Sequence, residues 1–220
     1  MNVIELIVLG TTKIGENALV VHSLSREYGR RGFVVRVGKG ASPSLLLPLG
    51  IIEADITENP RSTLWNARHL SASIPLIGIR NNLYKNTITL FMSEVLYRTV
   101  KDGANEEGLY DWCRKSILTL DAMESDFSNF HIRFLLELCS ALGFSPTFED
   151  LLPHIDRNDG KGHFEALRGF MQSSFSESML IPLSGADRNK IAEDILRYLE
   201  FHTESSINVR SLRVLHELFL

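Results

Sequence analysis

The apolar residues of this 220-residue chain change their period near residue 80, and no other feature narrows the possible folds as far. Before that point they come in short runs: Val3, Ile4, Leu6, Ile7, Val8 and Leu9, then Ala18 to Val21, Phe33 to Val37, and Leu45 to Ile56. Gly10, Gly15, Gly29, Gly32, Gly38, Gly40 and Gly50 punctuate them. Short β-branched runs bounded by glycine read as strands joined by tight turns, and several of them without long helices between suggest a small barrel or sandwich.

After Pro75 the spacing becomes three and four residues. Tyr84, Ile88, Phe91 and Val95 form one such set, Leu109, Trp112, Cys113, Ile117 and Leu120 a second, and Phe127, Phe130, Phe134, Leu135 and Leu138 a third. Each set lines one face of a helix. The third helix is expected to stop at Gly143, with Pro146 beyond it. A fourth periodic run, Ile191, Ile195, Tyr198, Leu199 and His202, follows Asp187 as its expected cap, and a short terminal helix around Leu212, Leu215 and Leu218 is expected to start at Ser211. Residues 144–162 are polar and turn-rich and read as a loop. The chain is therefore expected to be α+β in two domains, a β barrel over residues 1–80 and an all-helical domain over 81–220.

Composition sharpens the function classes. The formal charge is −4, which at face value argues against a strongly basic nucleic-acid binder. Divided at residue 80, the first part carries nine basic and six acidic side chains, or +3, and the second fourteen and twenty-one, or −7. The positive charge is concentrated further, because Arg26, Arg30, Arg31, Arg36 and Lys39 fall within 14 residues opposed only by Glu27, with Tyr28 and Phe33 interleaved. In a hairpin turning near Gly29 this cluster is expected to gather at one rim of the barrel. There it is either a solvated tip or a surface where phosphates meet guanidinium groups and bases stack on a ring.

Catalytic patterns are missing from the sequence. Gly32 to Lys39 approaches a phosphate loop, but five residues separate Gly32 from Gly38, and Gly40 stands where a metal-binding hydroxyl belongs. His154 to His163 fails as a calcium loop, because aligning Gly160 puts Ile155, Arg157 and Ala166 at ligand positions. A looser metal site of His154, Asp156, Asp159 and His163, serving a hydrolase, competes with a plain polar loop. Cys113 and Cys139 have no metal or redox spacing. Paired acids such as Glu193 and Asp194 point to different sides of a helix. No catalytic residue, metal or cofactor is assigned. No signal peptide and no run of 18 apolar residues occurs, so the expected place is the cytoplasm, without membrane contact.

Three segments, in order, resemble one family. IVLGTTKIGENALVVHSLSREYGRRGFVVRVGKG, FHIRFLLELCSALGFSP and NVRSLRVLHELF are similar to the N-terminal, helical and C-terminal motifs of the bacterial DNA-repair mediator RecO. The resemblance implies an OB-fold barrel followed by a helical domain. It also implies a non-enzymatic role in recombinational repair at the nucleoid: binding single- and double-stranded DNA, annealing complementary strands, and loading recombinase together with RecR onto strands coated by single-strand-binding protein. Many members carry paired CxxC zinc motifs after the helical segment. Residues 147–162 here contain no cysteine, so no zinc is carried over.

For DNA the expected residues are Arg26, Arg30, Arg31, Arg36 and Lys39, with Lys13, Arg68 and Tyr28; Phe33 reads as barrel core. For the acidic, Phe-ending tail of single-strand-binding protein the resemblance implies a pocket in the helical domain. Arg133 is its expected cation, with Phe130, Phe134 and Arg114 around it, although helical spacing equally makes the two phenylalanines core and pairs Arg133 with Glu137. The competing reading is an interaction adaptor whose barrel binds no DNA.

Overall fold

A run such as Ile4 to Leu9, apolar on both faces, belongs in a strand covered on both sides, and the computed structural model, which describes residues 2–36, 42–156 and 161–218, shows what covers it. Strand β1 (Asn2–Lys13) turns Ile4, Leu6 and Val8 into a barrel and Ile7 and Leu9 outward against helices. It pairs with β2 (Ala18–Ser25), which pairs with β3 (Gly29–Arg36). β4 (Ile51–Thr57) and β5 (Trp65–Ile74) close the barrel in the order β1-β2-β3-β5-β4. All ladders are antiparallel except β3 with β5, which is parallel and holds only Phe33 to Trp65 and Val34 to Asn66. Phe33, Val35, Ile52, Ala54, Ile56 and Ala67 fill the interior. This is an OB-like barrel, and a helical region follows it.

One expectation about the strands needs correction, and one strand was not expected. Leu45 and Leu46 lie in a 3-10 turn, Pro43–Leu46, where Pro43 suits the first helical position and supplies no strand N–H. β5 carries no apolar alternation, since only Ala67 along it is fully buried; its ladder with β4, from Ile51 opposite Ile74 to Thr57 opposite Asn66, holds it in place. Val37 and Lys39 lie outside the described residues, as do Arg157 to Gly160.

Among the described residues the helices are α1 (Ile77–Arg80), α2 (Leu83–Thr99), α3 (Leu109–Ala122), α4 (Phe130–Ala141), α5 (Phe148–Leu151), α6 (Lys161–Gln172), α7 (Phe175–Met179), α8 (Gly185–Thr203) and α9 (Ser211–Leu218). α4 stops as its sequence predicts: Gly143 takes φ +86°, its N–H reaches the Ser140 carbonyl at 3.0 Å, and the Phe144 N–H reaches that of Cys139 at 2.8 Å. α8 is capped by Ser184 rather than Asp187. The Ser184 hydroxyl accepts from the Asp187 N–H at 3.1 Å, which places Asp187 inside the first turn. The expected loop over 144–162 is shorter than its composition suggests, because Thr147 and Asp150 form a capping box that nucleates α5.

Barrel and helices share one core. Ile7, Leu9, Leu24, Leu49 and Ile51 join Ile79, Ile88, Phe91, Val95 and the inner faces of α3, α4 and α8 in a continuous cluster. Glu5 adds a polar tie, accepting from Arg114 of α3 at 2.8 Å, from the Tyr110 hydroxyl at 2.5 Å and from Ser73 of β5. The tip of the β2–β3 hairpin is also bound, with the Arg30 N–H on the Ala104 carbonyl at 2.9 Å and the Gly103 N–H on the Arg30 carbonyl at 2.8 Å. No helix among the described residues is long and apolar enough to cross a membrane.

Candidate nucleic-acid interface

The β2–β3 register decides where the basic cluster goes. Ser25 faces Gly29 at the hairpin tip and Ala18 faces Arg36 at the far end, so Arg30 and Arg36 stand roughly 20 Å apart along one strand. The single basic rim expected from sequence therefore divides in two.

At the tip, two of the arginines are committed to the helical region. Arg26 forks onto the Asp111 carboxylate and lies 5.1 Å over the Tyr110 ring. Arg30, with only 12% of its side chain exposed, donates to the Val100 carbonyl, sits 4.5 Å over the Tyr97 ring and faces Asp102 at 4.0 Å. These side chains join the barrel to α2 and α3. Sequence reasoning could not see this, because their partners lie about 70 to 85 residues downstream. Arg31 points the other way, 4.0 Å over the Trp65 ring. Tyr28 meets the same ring edge-on at 4.8 Å and donates its hydroxyl to Glu58. Arg31, Trp65 and Tyr28 thus make a half-exposed aromatic mouth at that end of the barrel. Phe33 is wholly buried in the barrel core, as its place at the head of an apolar strand suggests.

At the far end, β3 and β5 part after their two-residue ladder and leave a cleft of about 290 Å³. Val34 and Arg36 come from one wall, and Asn66, Arg68, His69 and Leu70 from the other. Arg36 and Arg68 are both exposed, and among the described residues neither has a carboxylate partner. His69 adopts φ +52° and meets the Asp55 carboxylate at 2.7 Å, which leaves the two guanidinium groups as the cations of the cleft. Lys13 is exposed at the same end of the barrel, opposite Leu19 and one register step from the Ala18–Arg36 pair. Lys39 lies outside the described residues. Asn66, His69 and Trp65 were not singled out from sequence, because the polar run that carries them gives no strand signal.

The four residues expected to form a tail pocket are not brought together. Phe130 and Phe134 are buried on the inward face of α4, Phe134 stacked on Trp112 at 5.2 Å. Arg114 faces the barrel, bound to Glu5. Arg133 pairs with Glu137 at 2.7 Å and donates to the Phe170 and Ser173 carbonyls at the end of α6, a favourable place for a cation. A hollow of about 150 Å³, lined by Leu136, Pro146 and Met171, opens beside it.

Of the four residues considered for metal, His163 is engaged elsewhere. His163 meets Asp194 at 2.5 Å in a buried pair that Arg197 also joins, and Asp159 lies outside the described residues. Among the described residues no group of three or more His, Cys, Asp or Glu side chains is placed to hold a metal ion. Burial pushes the Cys113 and Cys139 thiols up to about 12, which keeps them protonated and unreactive at neutral pH.

The family model described as recombination protein O C terminal matches residues 80–150, from the end of α1 to α5. The chain is 24% identical to the DNA repair protein RecO of Azobacteroides pseudotrichonymphae genomovar. CFP2. It is 27% identical to the proteins of that name from Phocaeicola vulgatus and Bacteroides fragilis. Each alignment covers 97% of this chain and 97% of the relative.

Proposed function

The chain belongs to the RecO family of DNA repair proteins, and from that premise we propose that it is a recombination mediator that acts by binding DNA rather than by catalysis. The observation that carries this reading is the cleft between β3 and β5, where Arg36 and Arg68 face solvent from opposite walls and, among the described residues, neither is ion-paired with a carboxylate. A strand crossing there exchanges condensed counterions for guanidinium groups, and its bases pack beside the partly exposed Trp65 and Tyr28 rings at the barrel mouth. Annealing needs two polyanions to approach, and a surface that neutralises one lowers their repulsion. The acidic helical region, −7 overall, keeps DNA on the barrel side.

The same reading includes double-stranded DNA, recombinase loading, a place at the bacterial nucleoid, and RecR and the acidic tail of single-strand-binding protein as partners. Arg133 is the cation proposed for the terminal carboxylate of that tail, which would take the place of Glu137 as its ion-pair partner. Arg133→Ala should weaken binding of the tail peptide several-fold, as read by fluorescence anisotropy; unchanged affinity removes the assignment. For DNA, the test is binding of labelled oligothymidylate over a range of salt. Affinity that falls steeply with salt supports the mediator, and salt-insensitive or absent binding supports the adaptor.

A further inference from the structure

β1 is longer than its partner. β4 pairs with it from Asn2 to Ile7, and Val8 still exchanges bonds with Leu49 and Gly50, but, among the described residues, 10–13 pair only with β2. A bulge between Val8 and Gly10 marks the point where β4 leaves off. The slot beside the open edge is a groove of about 540 Å³. Thr11 and Thr12 form one wall, Pro48 closes the end where β4 begins, and α2 and α9 form the other wall. Leu90 and Val214, each about two-fifths exposed, give it an apolar lining.

Its charge is the reverse of its surroundings. Residues 81–220 carry −7, yet Arg98, Arg210 and Arg213 all line this groove. Its one carboxylate, Glu94, is already engaged with the Arg210 and Ser211 N–H groups and the Ser211 hydroxyl at the start of α9. An unpaired strand edge is a liability unless something covers it, and an apolar slot beside such an edge is the geometry of strand addition.

We propose that this groove receives an extended acidic peptide segment of a partner protein. The segment adds as a strand to β1 beyond Val8, sets its apolar side chains on Leu90 and Val214, and places its carboxylates on Arg98 and Arg210. This site is separate from the DNA cleft and from the hollow at Arg133.

The probe is a short fluorescein-labelled peptide of alternating aspartate and valine, read by anisotropy on the full chain. The expected result is saturable binding to the wild type, about tenfold weaker for Arg98→Glu with Arg210→Glu, a loss of about 1.4 kcal/mol. Both side chains are exposed, so the variant should keep the wild-type melting temperature; Val214→Asp, also exposed, is the second variant and should weaken binding likewise. The same peptide N-methylated at alternate residues should also lose about tenfold, because strand addition needs its N–H groups. Arg36→Ala with Arg68→Ala and Arg133→Ala should bind the peptide like the wild type, which separates this site from the other two. Absence of wild-type binding, equal binding of the N-methylated peptide, or equal binding by the charge-reversed variant would overturn the proposal. So would displacement of the peptide by oligothymidylate in the Arg36→Ala, Arg68→Ala background, which would assign the groove to nucleic acid.

Discussion

At Gly29 the backbone takes φ +60°, and a methyl group there would stand 2.0 Å from the Ala104 carbonyl oxygen. The residue is small because the hairpin tip is pressed onto the α2–α3 loop, and the neighbouring Arg30 exchanges two backbone hydrogen bonds with that loop. Gly29→Ala must therefore push the tip away while forcing alanine into a left-handed conformation. The expected cost is about 2–4 kcal/mol, read as a lower urea midpoint. A change below about 0.5 kcal/mol, the range of ordinary surface substitutions, would mean that the tip is not held as described. Gly143 is a milder case: its φ of +86° serves the end of α4, and a Cβ there meets nothing within 4 Å. Gly143→Ala should cost about 1 kcal/mol through strain alone, visible as a fall of a few degrees in Tm, and no change would contradict that use of the left-handed turn.

Among the elements, legibility followed burial. α2, α3 and α4 repeat buried apolar residues at three- and four-residue spacing, so their period is written plainly in Ile88, Phe91 and Val95 and in Cys113, Ile117 and Leu120. β1 was visible for the opposite reason, being apolar on both faces. β5 was invisible because its side chains are mostly exposed and its place depends on long-range ladders with β4 and β3. That omission hid the cleft: Arg36 and Arg68 were both chosen for their charge, but only the parallel pairing of β3 with β5 brings them to opposite walls of one opening. Arg26 and Arg30 were chosen on the same ground, and local charge could not reveal that Asp111, Val100 and Asp102 claim them. α6 was submerged in a polar stretch although Phe164, Leu167 and Phe170 recur at three-residue spacing along it.

Across the whole molecule, the barrel and the helices form one mechanical unit, and the joint has an acid-sensitive member. Burial alone would raise the Glu5 carboxyl, but hydrogen bonds from Ser73, Tyr110 and Arg114 outweigh it and hold the group below its ordinary value of 4.5. A lowered carboxyl in the folded state contributes stability that is complete above that ordinary value and is lost as pH falls through the lowered one. Glu5→Gln should cost about 1–3 kcal/mol at neutral pH and flatten the decline of stability below pH 4.5, as followed by urea denaturation across pH. An equally steep acid limb in the variant would show that Glu5 is not the group responsible. The joint also divides the basic cluster. Arg26 and Arg30 at the hairpin tip fasten the barrel to the helices, and Arg36 at the far end, with Arg68, carries the proposed DNA contact.

The affinity of labelled oligothymidylate, measured over a salt series for the wild type and for Arg36→Ala with Arg68→Ala, tests that division most directly. The double variant should bind more weakly at low salt, with unchanged stability. Its log–log salt slope should be shallower by about 1.4, or about 0.7 for each phosphate of a single strand that the missing guanidinium groups no longer neutralise. An unchanged slope and affinity in the double variant would contradict DNA binding through the β3–β5 cleft.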